Sequence, residues 1–112
     1  MTLPNAARAV VDIRKLRDYC LSDSHPRGRH KARVFREVLG LTAADAEAFR
    51  ADLLEAARTG EATVGEADEH GQRYALDFFM EWRRQSATVR SAWIVRAGED
   101  FPRLTSWYVL KE

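Results

Sequence analysis

Cysteine is almost missing from this chain. Cys20 is the only one, so no disulfide can close within it. That fits a reducing, cytoplasmic setting without demanding one. No run of about 18 apolar residues occurs, so no membrane-spanning helix is expected. The first residues also lack the apolar stretch of a secretory signal. The three prolines and all but one of the six glycines fall at breaks between elements. Net charge is scarce too, with 18 Lys and Arg against 17 Asp and Glu, so bulk charge singles out no partner. The three histidines are not spaced for zinc, and no metal or cofactor is expected. There is no internal repeat and no low-complexity tract.

What is present is the material of one globular domain, residues 1–112. Apolar content of 46% and charged content of 31% are ordinary for that class. A chain of this length can bury a real core. The charges are polarised along it. Residues 1–36 sum to +6, residues 37–71 to −7 and residues 72–112 to +2.

Residues 1–11 read as an extended lead-in, with Pro4 keeping its predecessor out of the helical region. Asp12 can cap a first helix in which Ile13, Leu16, Tyr19 and Cys20 share a face. It should stop near Ser22-Asp23-Ser24. A second helix is expected over about 30–39, with Ala32, Phe35, Val38 and Leu39 as its apolar stripe and Gly40 as its stop. Thr42, with Asp45 three residues on, should cap a third helix that runs to about Arg58. That helix buries Ala46, Phe49, Leu53, Leu54 and Ala57.

After Gly60 the period changes to two. Strands are expected over about 62–66, 73–82, 87–96 and 104–110, the first two joined by Asp68-Glu69-His70-Gly71. His70 and the acidic Glu61, Glu66, Asp68 and Glu69 then belong to a solvated hairpin. Helices first and strands after predict an α+β fold. About three N-terminal helices would pack on one face of a four-stranded antiparallel sheet with sequential pairing. Tyr74, Phe78, Trp82 and Trp93 fall at strand period and should pack in the core. Trp82, Trp107 and Phe79 are the aromatics that serve as stacking platforms or partner surface if exposed.

The densest chemistry is His25-Pro26-Arg27-Gly28-Arg29-His30-Lys31. Two imidazoles, two guanidiniums and an ammonium share seven residues, with Pro26 and Gly28 turning the chain. Arg27, Arg29 and His30 suit the phosphates of a nucleic acid. Lys31 stands at a helix start, where the macrodipole prefers anions. A phosphate bridging Lys31 and the free N–H groups would relieve that conflict.

The segments HPRGRHKARVF at 25–35, GQRY at 71–74, TVRSAWIV at 88–95 and PRLTSWYVL at 102–110 resemble a small bacterial domain of unknown function, DUF6883. The resemblance runs from Leu3 to Leu110. Ser91 stands where that family usually has Thr, which keeps a hydroxyl, and Trp107 is a bulky departure. Members occur alone and as terminal domains of larger phage and secreted proteins. That placement is similar to the toxin domains of the barnase, colicin and RelE-like ribonuclease group, whose helices also precede a four-stranded antiparallel sheet.

Metal-independent RNA cleavage by 2′-hydroxyl attack needs a base and an acid. It also needs donors for the charge on the phosphorus oxygens and a strand held in line. His25, Lys31, Arg73, Ser91 and Thr105 are the catalytic candidates for these tasks; at strand period Ser91 shares its face with Val89 and Trp93, and Thr105 shares its face with Trp107. Such a toxin would take RNA as substrate and an acidic inhibitor protein as partner. Two alternatives come from other classes. An antitoxin or immunity-type binding module would show an exposed apolar patch near Trp107 or an open fourth-strand edge. A non-catalytic RNA-binding domain would bind with strong salt dependence.

Overall fold

At Gly60 the chain exchanges its helical period for a two-residue one, and the fold divides there. The computed structural model describes residues 1–20 and 29–110. Helices α1 (Arg29–Leu39) and α2 (Ala46–Thr59) precede strands β1 (Ala62–Asp68), β2 (Gly71–Trp82), β3 (Gln85–Arg96) and β4 (Pro102–Val109). The strands form one antiparallel sheet in the order β1-β2-β3-β4. The fold is α+β, as the order of periods predicts.

Parity along each strand decides its faces. Leu76, Met80, Val89, Trp93, Leu104 and Trp107 are buried and join Phe35, Leu39, Phe49 and Leu53 of the helices in one core. Phe35 and Phe49 meet with ring centroids 5.3 Å apart at a tilt of 52°, a geometry that aromatic quadrupoles favour. Of the expected core aromatics, Trp93 is fully buried, while Tyr74, Phe78 and Trp82 are half-buried. Arg73, Asp77, Phe79, Arg90 and Tyr108 lie on the other face, half-buried or exposed. Ile94 is the buried exception there, flanked in register by Arg73 and Arg103, whose stems shield it.

Gly71 opens β2 with φ 143°, and a Cβ on it would stand 2.1 Å from the Val95 carbonyl oxygen. Only glycine allows the β1–β2 turn to come this close to β3.

Three expectations need correction. The first concerns β4. Ala92 pairs with Ser106 but Trp93 pairs with Leu104, so Thr105 is an extra residue in a bulge. Leu104 and Trp107 therefore both point inward, and Thr105 does not share the face of Trp107.

The second concerns residues 1–11, which are not a plain lead-in. Asn5 adopts a left-handed conformation ahead of a 3₁₀ turn at Ala6–Arg8. The Val10 N–H then donates to the Pro102 carbonyl at 2.9 Å, and the Leu104 N–H donates to the Val10 carbonyl at 3.0 Å. At its other end, the Met1 carbonyl accepts from the Ala62 N–H at 2.6 Å. The segment thus pairs with both edge strands, which occupies part of each exposed edge.

The third is the first helix. Ile13 and Arg14 are α-helical, and Lys15–Cys20 form a π-helical turn. The expected cap is there: the Arg14 N–H donates to Asp12 Oδ1 at 2.9 Å. The stop expected at Ser22–Ser24 lies outside the described residues. Asp45 also plays its expected part, accepting from the Thr42 N–H at 3.0 Å, with a 3₁₀ turn before α2 begins.

Candidate functional site

Lys31 is the third residue of α1, and the first turn of that helix carries no acidic side chain. Its ammonium has turned instead to β4. Lys31 Nζ lies 5.2 Å from the ring centroid of Trp107. Such a contact contributes about 0.5–1 kcal/mol when exposed, and more when water is excluded. Trp107 is 2% exposed, so it is a fixed platform rather than a free stacking surface. Its Nε1 has no hydrogen-bond partner among the described residues. Trp107 itself therefore presents no exposed apolar surface.

Of the other residues in the basic segment, His25 and Arg27 lie outside the described residues. Arg29 and His30 form the first turn of α1, and their side chains also lie outside the description.

The remaining candidates are divided among three places. Ser91 is fully buried beneath the helices. Its hydroxyl donates to the Leu76 carbonyl at 2.7 Å and accepts from Trp93 Nε1 at 2.8 Å. Both capacities go to holding the core, so Ser91 meets no solvent and no substrate. Thr105 is exposed at the bulge of β4, two residues from Trp107, and its hydroxyl donates to the Ala92 carbonyl at 3.0 Å. Arg73 lies on the open face of β2, opposite Ile94, and its Nη1 donates to Asp68 Oδ2 at 2.6 Å. Lys31 thus meets β4 on its inward face at Trp107, Thr105 is exposed on the other side of the same strand, and Arg73 and Ser91 are at neither place.

Sequence reasoning missed a row that crosses the open face. Asp77 of β2, Arg90 of β3 and Tyr108 of β4 are register partners. Arg90 Nε and Nη2 donate to the two Asp77 oxygens at 2.7 and 2.8 Å, a bidentate fork. Hydrogen bonding to Asp77, then to Tyr108, holds Arg90 above its ordinary pKa. The same bond from Arg90 holds Asp77 below the usual carboxylate range. Arg103 is likewise forked on Glu99, both contacts at 2.9 Å, and both Arg103 and Arg8 stack on Phe101. Each open-face arginine of the row and its neighbours, Arg73, Arg90 and Arg103, already has a carboxylate. These three arginines are neutralised, whereas α1 carries Arg29, Lys31, Arg33 and Arg36 against Glu37 alone.

The Asp77–Arg90 pair has a consequence for stability. A depressed carboxylate pKa stabilises the fold above its unfolded value of about 3.9, and that contribution goes as pH falls through the lower folded value. Thermal melts should show wild type ahead of Asp77→Asn at neutral pH by no more than about 1 kcal/mol, as for exposed pairs. The gap should close below pH 4. A gap unchanged at low pH would refute the pairing.

Among the described residues no group of three or more His, Cys, Asp and Glu is placed to hold a metal ion. No helix among them is long and apolar enough to cross a membrane.

The fold has a known counterpart. It is similar to a chain in the structure of a contact-dependent growth inhibition toxin–immunity protein complex from Klebsiella pneumoniae 342. The TM-score is 0.66 at 17% identity, over 90% of this chain and 99% of that one. No curated protein matches the sequence. A family model does match, over residues 2–111, and it makes the chain a member of the domain of unknown function family DUF6883.

Proposed function

We propose that this domain is an RNA-cleaving toxin domain that grips its substrate along α1 and β4 and works by 2′-hydroxyl attack. The observation that carries the reading is the Lys31 ammonium held over Trp107, where the first turns of α1 meet the bulged strand. The likeness of the fold to a chain of a toxin–immunity complex supports the toxin-related part.

In this reading Lys31 stabilises the charge that builds on the phosphate oxygens. The Thr105 hydroxyl, exposed at the bulge on the other side of the edge strand, donates to a backbone carbonyl, so its lone pairs are left to accept from RNA that passes over that edge. His25 takes the 2′-hydroxyl proton, since an imidazole is a base near neutral pH; the 2′-oxygen displaces the 5′-oxygen from phosphorus to leave a 2′,3′-cyclic phosphate, and water protonates the departing 5′-oxygen. Arg27, Arg29 and His30 hold the phosphates on either side. Arg73 and Ser91 have no part in it, because one is ion-paired on the open face and the other is in the core. An inhibitor that covers the basic side of α1 would be acidic.

The test is to incubate purified protein with total bacterial RNA. Discrete cleavage products are expected. A domain that only binds RNA would retard it intact, with an affinity that falls steeply as salt rises.

A further inference from the structure

An apolar groove lies at the far end of α1 from Lys31. It holds about 660 Å³ and is lined by Val38, Phe79, Val109 and Leu110 together with small residues of β3. Phe79 forms its ridge and is 63% exposed, and Val38 is 37% exposed. A lone exposed ring would mean little, but Phe79 shares this groove with Val38, Val109 and Leu110, and grouped apolar surface marks a contact site. The other side of the same ring walls a second depression of about 290 Å³, and Asp52, Glu55 and Glu81 line that one.

These carboxylates select the occupant. Glu55 is bonded to Arg58. Asp52 is half-buried and makes no ion pair among the described residues, and burial holds its carboxyl above the usual range. Glu81 also makes none there. A partly desolvated carboxylate without a cation is a cost that a cation from outside removes. The aromatic face of Phe79 favours the same charge. RNA phosphates are repelled by the three acids, so the occupant is not the nucleic acid.

We infer that this groove docks a partner protein, which seats an apolar side chain against Phe79 and an adjacent arginine or lysine between Asp52 and Glu81. The partner binds about 10 Å along α1 from Lys31, given the helical rise between residues 31 and 38. It therefore contacts a different stretch of α1 from Lys31, and the inference stands whether or not the domain cleaves RNA.

The test replaces Phe79 with the photocrosslinking residue p-benzoylphenylalanine in cells that make the protein. The crosslinked peptide is then identified by mass spectrometry. The expected adduct is with one other protein, in a segment where an apolar residue neighbours Arg or Lys. The double variant Asp52→Asn, Glu81→Gln should lower its yield about tenfold, as loss of such charge contacts does. Cleavage of total RNA by that variant should match wild type. An adduct with a second copy of this chain, with RNA or with a segment lacking basic residues would overturn the inference. So would no adduct, a yield unaffected by the double variant, or a fall in its RNA cleavage.

Discussion

Lys31→Ala is expected to cleave RNA about a hundredfold more slowly than wild type, the scale on which losing one positioned charge donor acts in a transition state. The fold should survive the change. The side chain is only half-buried, and its contact with Trp107 contributes about 1 kcal/mol at most at a site open to water. Lys31→Met keeps the aliphatic stem over the indole but loses the charge, so it should be as slow as Ala. Lys31→Arg keeps a cation that can stack on the same ring, so it should retain part of the rate. Single-turnover kinetics separate two roles. A cation that acts in the transition state lowers the rate at saturating RNA, whereas one that merely grips raises KM and leaves that rate alone.

Ser91→Ala is expected to lose about 2–3 kcal/mol of stability and to leave any cleavage rate per folded molecule unchanged. The substitution strands the Trp93 indole N–H and one lone pair of the Leu76 carbonyl in a region closed to water. Each group left unpaired at such depth costs about 1–3 kcal/mol. The Leu76 carbonyl is the lesser loss, since it lies within the paired sheet. Ser91→Thr returns the hydroxyl and should recover most of the difference. Urea titration reads this as a shift of midpoint with an unaltered slope. A stable Ser91→Ala variant that fails to cut RNA would instead return Ser91 to the chemistry.

Ser91 also shows how the sequence carries more than it first yields. Parity puts it with Val89 and Trp93, and that apolar company already places its hydroxyl in the core. The pairing of Thr105 with Trp107 failed for a different reason. A two-residue period runs unbroken through a bulge, and only the spacing of Leu104 and Trp107, two large apolar side chains three apart, hints that one residue is extra. Strand order and strand existence were legible because each hairpin is local. The Asp77–Arg90–Tyr108 row was not, because it depends on the relative register of three strands. The Lys31–Trp107 contact joins residues far apart in sequence and depends on how α1 seats on the sheet. The pairing of residues 1–11 with both sheet edges was hidden for the same reason: edge hydrogen bonds are made by backbone, which leaves no mark on side-chain pattern.

The central claim is 2′-hydroxyl attack at the Lys31 side of β4, and product chemistry on a defined oligonucleotide tests it most directly. An RNA cut by the wild-type domain should end in a 2′,3′-cyclic phosphate. A single 2′-deoxy sugar at the cut position should abolish cleavage there, and Lys31→Ala should give the same product slowly. Cleavage of the deoxy-substituted strand, or a product bearing a free 2′,3′-diol, would contradict the account.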